Sequence, residues 1–206
     1  MRNTFAAVAA ATVVLGAAGN LEASPEIGVA APAFSGTTSK GETLSLEEFR
    51  GQTVVLEWTN HGCPYVQKHY GTGNMQALQK QATDDGVVWL SVISSRPGSQ
   101  GYVEGAEADQ LTVEREAAPT QVVLDPEGDI GRLYGATNTP HMYIVDAGGM
   151  LVYKGGIDDK PSARWSDVET AHNYVGAALG ELAAGGVISE PVTRAYGCSV
   201  KYAPTS

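Results

Sequence analysis

Cys63 is the residue whose surroundings point most directly to chemistry. It follows the run TVVLEW at Thr53–Trp58, which is β-branched and apolar enough for a buried strand. A polar corner comes next, Thr59-Asn60-His61-Gly62, and then Cys63-Pro64. Proline is favoured at the first position of a helix, where its missing N–H costs nothing. Cys63 is therefore expected at or beside a helix N-cap, where unpaired N–H groups and the helix dipole stabilise a thiolate. Such a thiolate attacks a disulfide sulfur or a peroxide oxygen. The competing reading is a buried cysteine that packs as a small hydrophobe.

Cys198 is the only other cysteine. In an oxidising compartment an even pair can be joined, here around a loop of more than a hundred residues. A bridge of that span is worth on the order of 5 kcal/mol by chain entropy, so a purely structural staple competes with a reactive pair. His61 and His141 are candidate aids: a protonated imidazole favours the thiolate, and a neutral one accepts its proton. Strand alternation is able to point His141 away from the sulfur. His69 and His172 read as ordinary helix residues. Glu57, on the strand six residues before Cys63, is costly there unless paired or protonated, which favours a functional role over a place in a polar cleft. Cys63, His61 and His141 also offer soft and borderline ligands for copper, although no Cys-x-x-x-Cys or His-rich tract supports that use. No cofactor is implied.

These residues need elements to hold them. A strand is expected at Val87–Ser94, apolar without alternation and so buried on both faces. The helix opened by Pro64 runs through Tyr70, Gly71-Thr72-Gly73 interrupts it, and Asn74 is placed to cap a second helix. Gly101–Glu116 reads as an exposed helix with a solvated acidic face. Gln121–Asp125 is a strand and Asp129–Tyr134 a short helix. A hairpin turning at Gly148-Gly149 follows. Ser166 or Asp167 is expected to cap a closing helix with an apolar stripe from Val168 to Leu182, stopped at Gly185-Gly186. Upstream, Ser45 and Glu48 form a capping box, and the segment around them reads as cover for a sheet edge.

Residues 1–23 read as a secretory signal: Arg2, then the apolar core FAAVAAATVVLGAA, with cleavage points after Ala18 or Ala23. The run is short for a membrane span. A net charge of −10 repels phosphate backbones and anionic lipid, which argues against nucleic-acid binding and membrane association of the mature chain. The apolar fraction of 43% and charged fraction of 17% are those of a globular protein. Residues 24–206 are long enough for one domain with a full core.

Three motifs carry a resemblance: the NHGCPYV corner at Asn60–Val66, Thr139-Pro140 within ATNTPHMYIVDAGGMLVYKGGID, and Gly197-Cys198 in the tail. Together they resemble the thioredoxin-fold redoxins, and most closely the peroxiredoxin-like (AhpC/TSA-related) group, over nearly all of the mature chain. The resemblance implies an α/β, thioredoxin-like fold: a mixed central sheet flanked by helices, with a redoxin-type N-terminal extension. It implies a cis bond before Pro140, and a substrate segment docking beside Thr139, Pro140, His141 and Pro64. It also implies a proton-moving role for Glu57. Two departures matter. Val66 replaces the second cysteine of Cys-x-x-Cys, and the Pro-x-x-x-Thr-x-x-Cys pattern of typical peroxiredoxins is absent.

The reading that follows is an exported thiol-disulfide oxidoreductase, periplasmic or secreted. Cys63 is its nucleophile, Cys198 its resolving partner, and Glu57 and His61 tune protons. Its partners are protein thiols and disulfides or small oxidised thiols, with an external thiol as electron donor. The alternatives are a hydroperoxide reductase, a copper-binding thioredoxin-like protein, and an inert scaffold with a structural disulfide.

Overall fold

The computed structural model describes residues 24–204; the leader reading at residues 1–23 lies outside them. The middle of the fold is β3 (Val54–Trp58), with all five residues buried. It pairs in parallel with β4 (Val88–Ile93) and antiparallel with β7 (His141–Val145). With β1 (Ser35–Thr38), β2 (Thr43–Ser45), β5 (Gln121–Leu124) and β8 (Leu151–Gly155), these form a seven-stranded sheet of order β2-β1-β5-β4-β3-β7-β8. Only β3, β4 and β5 run in parallel. This is the mixed sheet expected, with β4 buried at its centre.

Side chains alternate between the two faces of β3. Val54, Leu56 and Trp58 pack with Phe34, Leu46, Tyr134 and Tyr143 on one side. Val55 points the other way, into a layer with Val66, Met75, Met142, Ile144 and Val175. That second layer is built by α1 (Pro64–Gly71), α2 (Asn74–Asp84) and α5 (Tyr174–Ala183). Burying each such side chain is worth roughly 1.5–3 kcal/mol. Two more helices complete the set, α3 (Gly105–Glu114) and α4 (Asp129–Tyr134). Among the described residues, no helix is long and apolar enough to cross a membrane.

Several boundaries differ from expectation. The Ser45–Glu48 capping box is present, but it opens a single 3-10 turn at Leu46–Phe49. The segment expected to cover the sheet edge supplies the edge strand itself, β2, which pairs with β1. The cap of α2 is Gly73, not Asn74; the Asn74 amide is engaged instead by His69. The closing helix begins after Asn173, whose side chain accepts from Gly176 N. Residues Trp165–Thr170 form a separate 3-10 helix, so Val168 and Ala171 are not part of the stripe. His172 accordingly lies outside any helix.

Candidate active site

The corner after β3 is folded by its own polar residues. Asn60 Oδ1 accepts from Gly62 N at 2.9 Å, and the Cys63 N–H donates to Asn60 O at 3.0 Å. This local turn is the one Asn favours. It delivers Cys63 to the N-cap of α1, in extended backbone, with Pro64 at the first helical position. Cys63 has no exposed surface. Its thiol donates to Thr139 O at 3.2 Å, and its Sγ stands 2.6 Å from Cys198 Sγ. The two cysteines are free thiols in this structure.

Thr139 ends the two-residue strand β6 (Asn138–Thr139), and the Thr139-Pro140 peptide is cis. Against β6 lies β9 (Cys198–Ser199), antiparallel, with Thr139 opposite Cys198 and Asn138 opposite Ser199. Asn138 Nδ2 donates to Gly197 O, and Val200 N donates to Thr137 O, both at 3.1 Å. The tail thus runs along the strand that carries Thr139, and the three motifs singled out in the sequence meet at one rim.

The two sulfurs are not equivalent. Burial pushes the Cys63 thiol up, but hydrogen bonds from Cys198 and from the Val66 N–H at the helix start outweigh it and hold Cys63 below the ordinary cysteine range. Cys198 is pushed up by burial and by its hydrogen bond and charge contact with Cys63. Of the two, Cys63 ionises more readily and Cys198 less.

Glu57 is wholly buried on the same face of β3 as Val55. It accepts from Trp89 Nε1 at 2.9 Å, Gln79 Nε2 and Tyr70 Oη at 3.0 Å, and Ser91 Oγ at 3.1 Å. Four donors satisfy the carboxylate, and none of them is a cysteine. Sequence reasoning singled out Glu57 but none of these partners. One signal was available: a carboxylate inside a sheet requires donors on the neighbouring strand, and Ser91 sits opposite Glu57 in the β3–β4 register.

Neither histidine hydrogen-bonds to the Cys63 sulfur. His141 lies opposite Trp58 in the β3–β7 register and stacks on Tyr143, on the face turned from Cys63. Burial, with Lys154 adding to it, brings its pKa down to about 4. It is neutral at pH 7, and its Nδ1 accepts from Thr137 N at 3.3 Å. His61 lines an open cleft with Gln67, Tyr70, Arg115 and Trp165, and has no hydrogen bond to Cys63. Its pKa is lowered by burial and by Arg115. The copper set of Cys63, His61 and His141 therefore does not assemble. Among the described residues, no three His, Cys, Asp or Glu side chains gather where they could hold a metal. His69, read from sequence as an ordinary helix residue, is instead fully buried.

Comparison with solved structures places the fold. A hypothetical protein from Sinorhizobium meliloti 1021 superposes with a TM-score of 0.73 at 17% identity, covering 89% of this chain and 98% of that one. An uncharacterized conserved protein from Geobacillus kaustophilus gives 0.73 at 22% identity, covering 88% and 94%. The thioredoxin domain of a thiol-disulfide oxidoreductase from Bacteroides vulgatus gives 0.51 at 23% identity, covering 71% and 98%. The fold is thioredoxin-like. No curated protein matches the chain. The AhpC/TSA family matches residues 27–154, well over half of the sequence, a span that contains both the Cys63-Pro64 corner and Thr139-Pro140. The chain belongs to the AhpC/TSA family.

Proposed function

We propose that this chain is an exported thiol-disulfide oxidoreductase. The observation that carries the reading is the pair of sulfurs, 2.6 Å apart at the N-terminus of α1. The Cys63 thiolate attacks one sulfur of a substrate disulfide, forming a mixed disulfide and releasing the other substrate sulfur as a thiolate. Cys198 then gives up its proton and attacks Cys63 Sγ, expelling the second substrate thiolate and leaving a Cys63–Cys198 disulfide. The substrate gains two electrons, and an external dithiol returns the protein to its reduced form. The unequal acidities support the assignment of Cys63 as the attacking sulfur. Thr139, with Pro140 and Pro64 at the same rim, offers backbone against which a substrate segment can lie once the tail moves aside. Substrates are protein disulfides or small oxidised thiols, and the leader supports a periplasmic or secreted location.

Glu57 is so fully bonded that its part is to hold β3, β4, α1 and α2 in register beneath the site. His61 faces a cleft from which it could meet substrate, while His141 serves the opposite face.

Family membership favours a second reading, a hydroperoxide reductase. There the Cys63 thiolate attacks one peroxide oxygen, the O–O bond breaks and the other oxygen leaves as an alcohol or water after taking up a proton. Cys63 becomes a sulfenic acid, and the Cys198 thiol condenses with it, forming the disulfide and releasing water. One experiment separates the readings: the reduced protein is mixed with a model protein disulfide or with hydrogen peroxide, and the products are alkylated and weighed. The first reading expects a fast Cys63–Cys198 bridge with the disulfide. The second expects it with peroxide, and sulfenic acid at Cys63 in Cys198→Ser. Two thiols that stay unpaired and unreactive under both would remove both readings.

A further inference from the structure

Two residues before Cys198, Tyr196 runs into a cluster of charge that the sulfur chemistry does not account for. Lys68 and His69 of α1, and Asp158 just beyond β8, are all withdrawn from water. Ionic groups stay there only when paired and hydrogen-bonded. The Tyr196 hydroxyl donates to Asp158 Oδ1, which also accepts from Lys160 N at 2.9 Å. Lys68 Nζ donates to Lys160 O at 3.0 Å and to the Tyr196 hydroxyl at 3.3 Å, and stands 3.5 Å from Asp158 Oδ2.

His69 completes the cluster. Burial, with Lys68 beside it, brings its pKa down to about 3, so the ring is neutral at pH 7. Asn74 Nδ2 donates to its Nδ1 at 2.9 Å, which leaves Nε2–H to donate to the Tyr196 hydroxyl at 3.3 Å. The hydroxyl gives one hydrogen bond and takes two, its full capacity. Asp158 Oδ2 has no hydrogen-bond partner among the described residues, so the carboxylate relies on the two bonds at Oδ1.

The ring of Tyr196 is held as firmly as its hydroxyl. Tyr65, two residues after Cys63, meets it edge-on with centroids 5.9 Å apart, and Lys68 Nζ lies 5.2 Å from its centroid. Only Gly197 separates Tyr196 from Cys198. The nucleophile and the anchor of its partner thus share one support, the first two turns of α1.

We propose that Tyr196, seated between Asp158, Lys68 and His69, is the positioning residue that presents the Cys198 sulfur to Cys63. This rests on the reading of the two cysteines as a reactive pair. An aromatic stack alone permits sliding; three hydrogen bonds to one hydroxyl fix both its depth and its angle. Whatever holds the sulfurs together favours the disulfide over the dithiol, so the cluster makes the bridge harder to reduce.

The test equilibrates the full chain, Tyr196→Phe and Asp158→Asn in glutathione redox buffers and counts bridged and open protein by alkylation and mass. Tyr196→Phe keeps the ring and removes the hydroxyl. It is expected to shift the equilibrium toward the dithiol about tenfold or more, since the hydroxyl's hydrogen bond to the buried Asp158 carboxylate is by itself worth that much. For a two-electron couple that is about 30 mV. Asp158→Asn leaves Tyr196 in place and is expected to shift it in the same direction, and the double variant by less than the two combined. A cluster that only supports the fold would lower the melting temperatures of both redox forms alike and leave the equilibrium constant unchanged, which would overturn the proposal. A wild-type chain that never forms the bridge would overturn the cysteine reading and the proposal with it.

Discussion

Gly197 crosses Thr139 so closely that a β-carbon on it would stand 2.0 Å from Thr139 O. Its φ of 132° is one that residues with side chains rarely adopt. Gly197→Ala is therefore expected to lift the tail away from β6. Backbone strain of this kind costs about 1–3 kcal/mol, and each 1.4 kcal/mol is tenfold in an equilibrium. Iodoacetamide should then reach Cys63 of the reduced variant roughly ten times faster or more than in the parent. An unchanged alkylation rate would show that the tail does not shield the sulfur.

Glu57 carries a second prediction. Glu57→Ala leaves Trp89, Gln79, Tyr70 and Ser91 pointing into an emptied space. Removing one member of a buried charged network costs roughly 3–5 kcal/mol. Urea unfolding should show the midpoint fall with little change in slope. A loss below 1 kcal/mol would mean the four donors find other partners.

The buried histidines set the acid response. His141 titrates at about 4 and His69 at about 3 in the fold, both below the ordinary value of 6.5. The unfolded chain therefore binds these protons first as pH falls. Stability should drop between about pH 6.5 and pH 4, by up to about 1.4 kcal/mol per pH unit for each histidine. Below about pH 4, His141 is protonated in both states and adds no further slope. His141→Asn keeps an acceptor for Thr137 N and should remove close to one proton from the slope. An identical slope in the variant would assign the effect to other groups.

Trp165 gives an optical handle. Trp58 and Trp89 have no exposed surface, whereas Trp165 is 54% exposed and rests on Gly71, where an added β-carbon would come within 2.3 Å of the indole. Gly71→Ala should swing this indole outward, red-shift the emission and raise its quenching by acrylamide. The stability change should stay within about 1 kcal/mol, since the ring has solvent to move into. A blue shift would contradict the contact.

Much of the site was legible because local chemistry decided it. The Thr53–Trp58 run, Cys63-Pro64 and the hairpin after Pro140 each declare their conformation through neighbours in sequence. What escaped detection depends on distant partners. His69 looks like any polar helix residue until Tyr196 and Asp158, more than 80 residues further on, arrive beside it. Ser166 and Asp167 are good caps in isolation and so predict too early a start for the closing helix. In the fold Asp167 is drawn to Ser162 and Arg164, and Asn173 takes the cap. His141 shows the limit in the other direction: a single-residue step along β7 decides which face it occupies, and adjacency to Pro140 says nothing of that.

Residues 63 and 198 are separated by 135 positions. A ribosome makes the first long before the second, so Cys63 must travel most of the way through synthesis without the sulfur it ends beside. Any oxidant that reaches the half-made chain accordingly meets Cys63 alone.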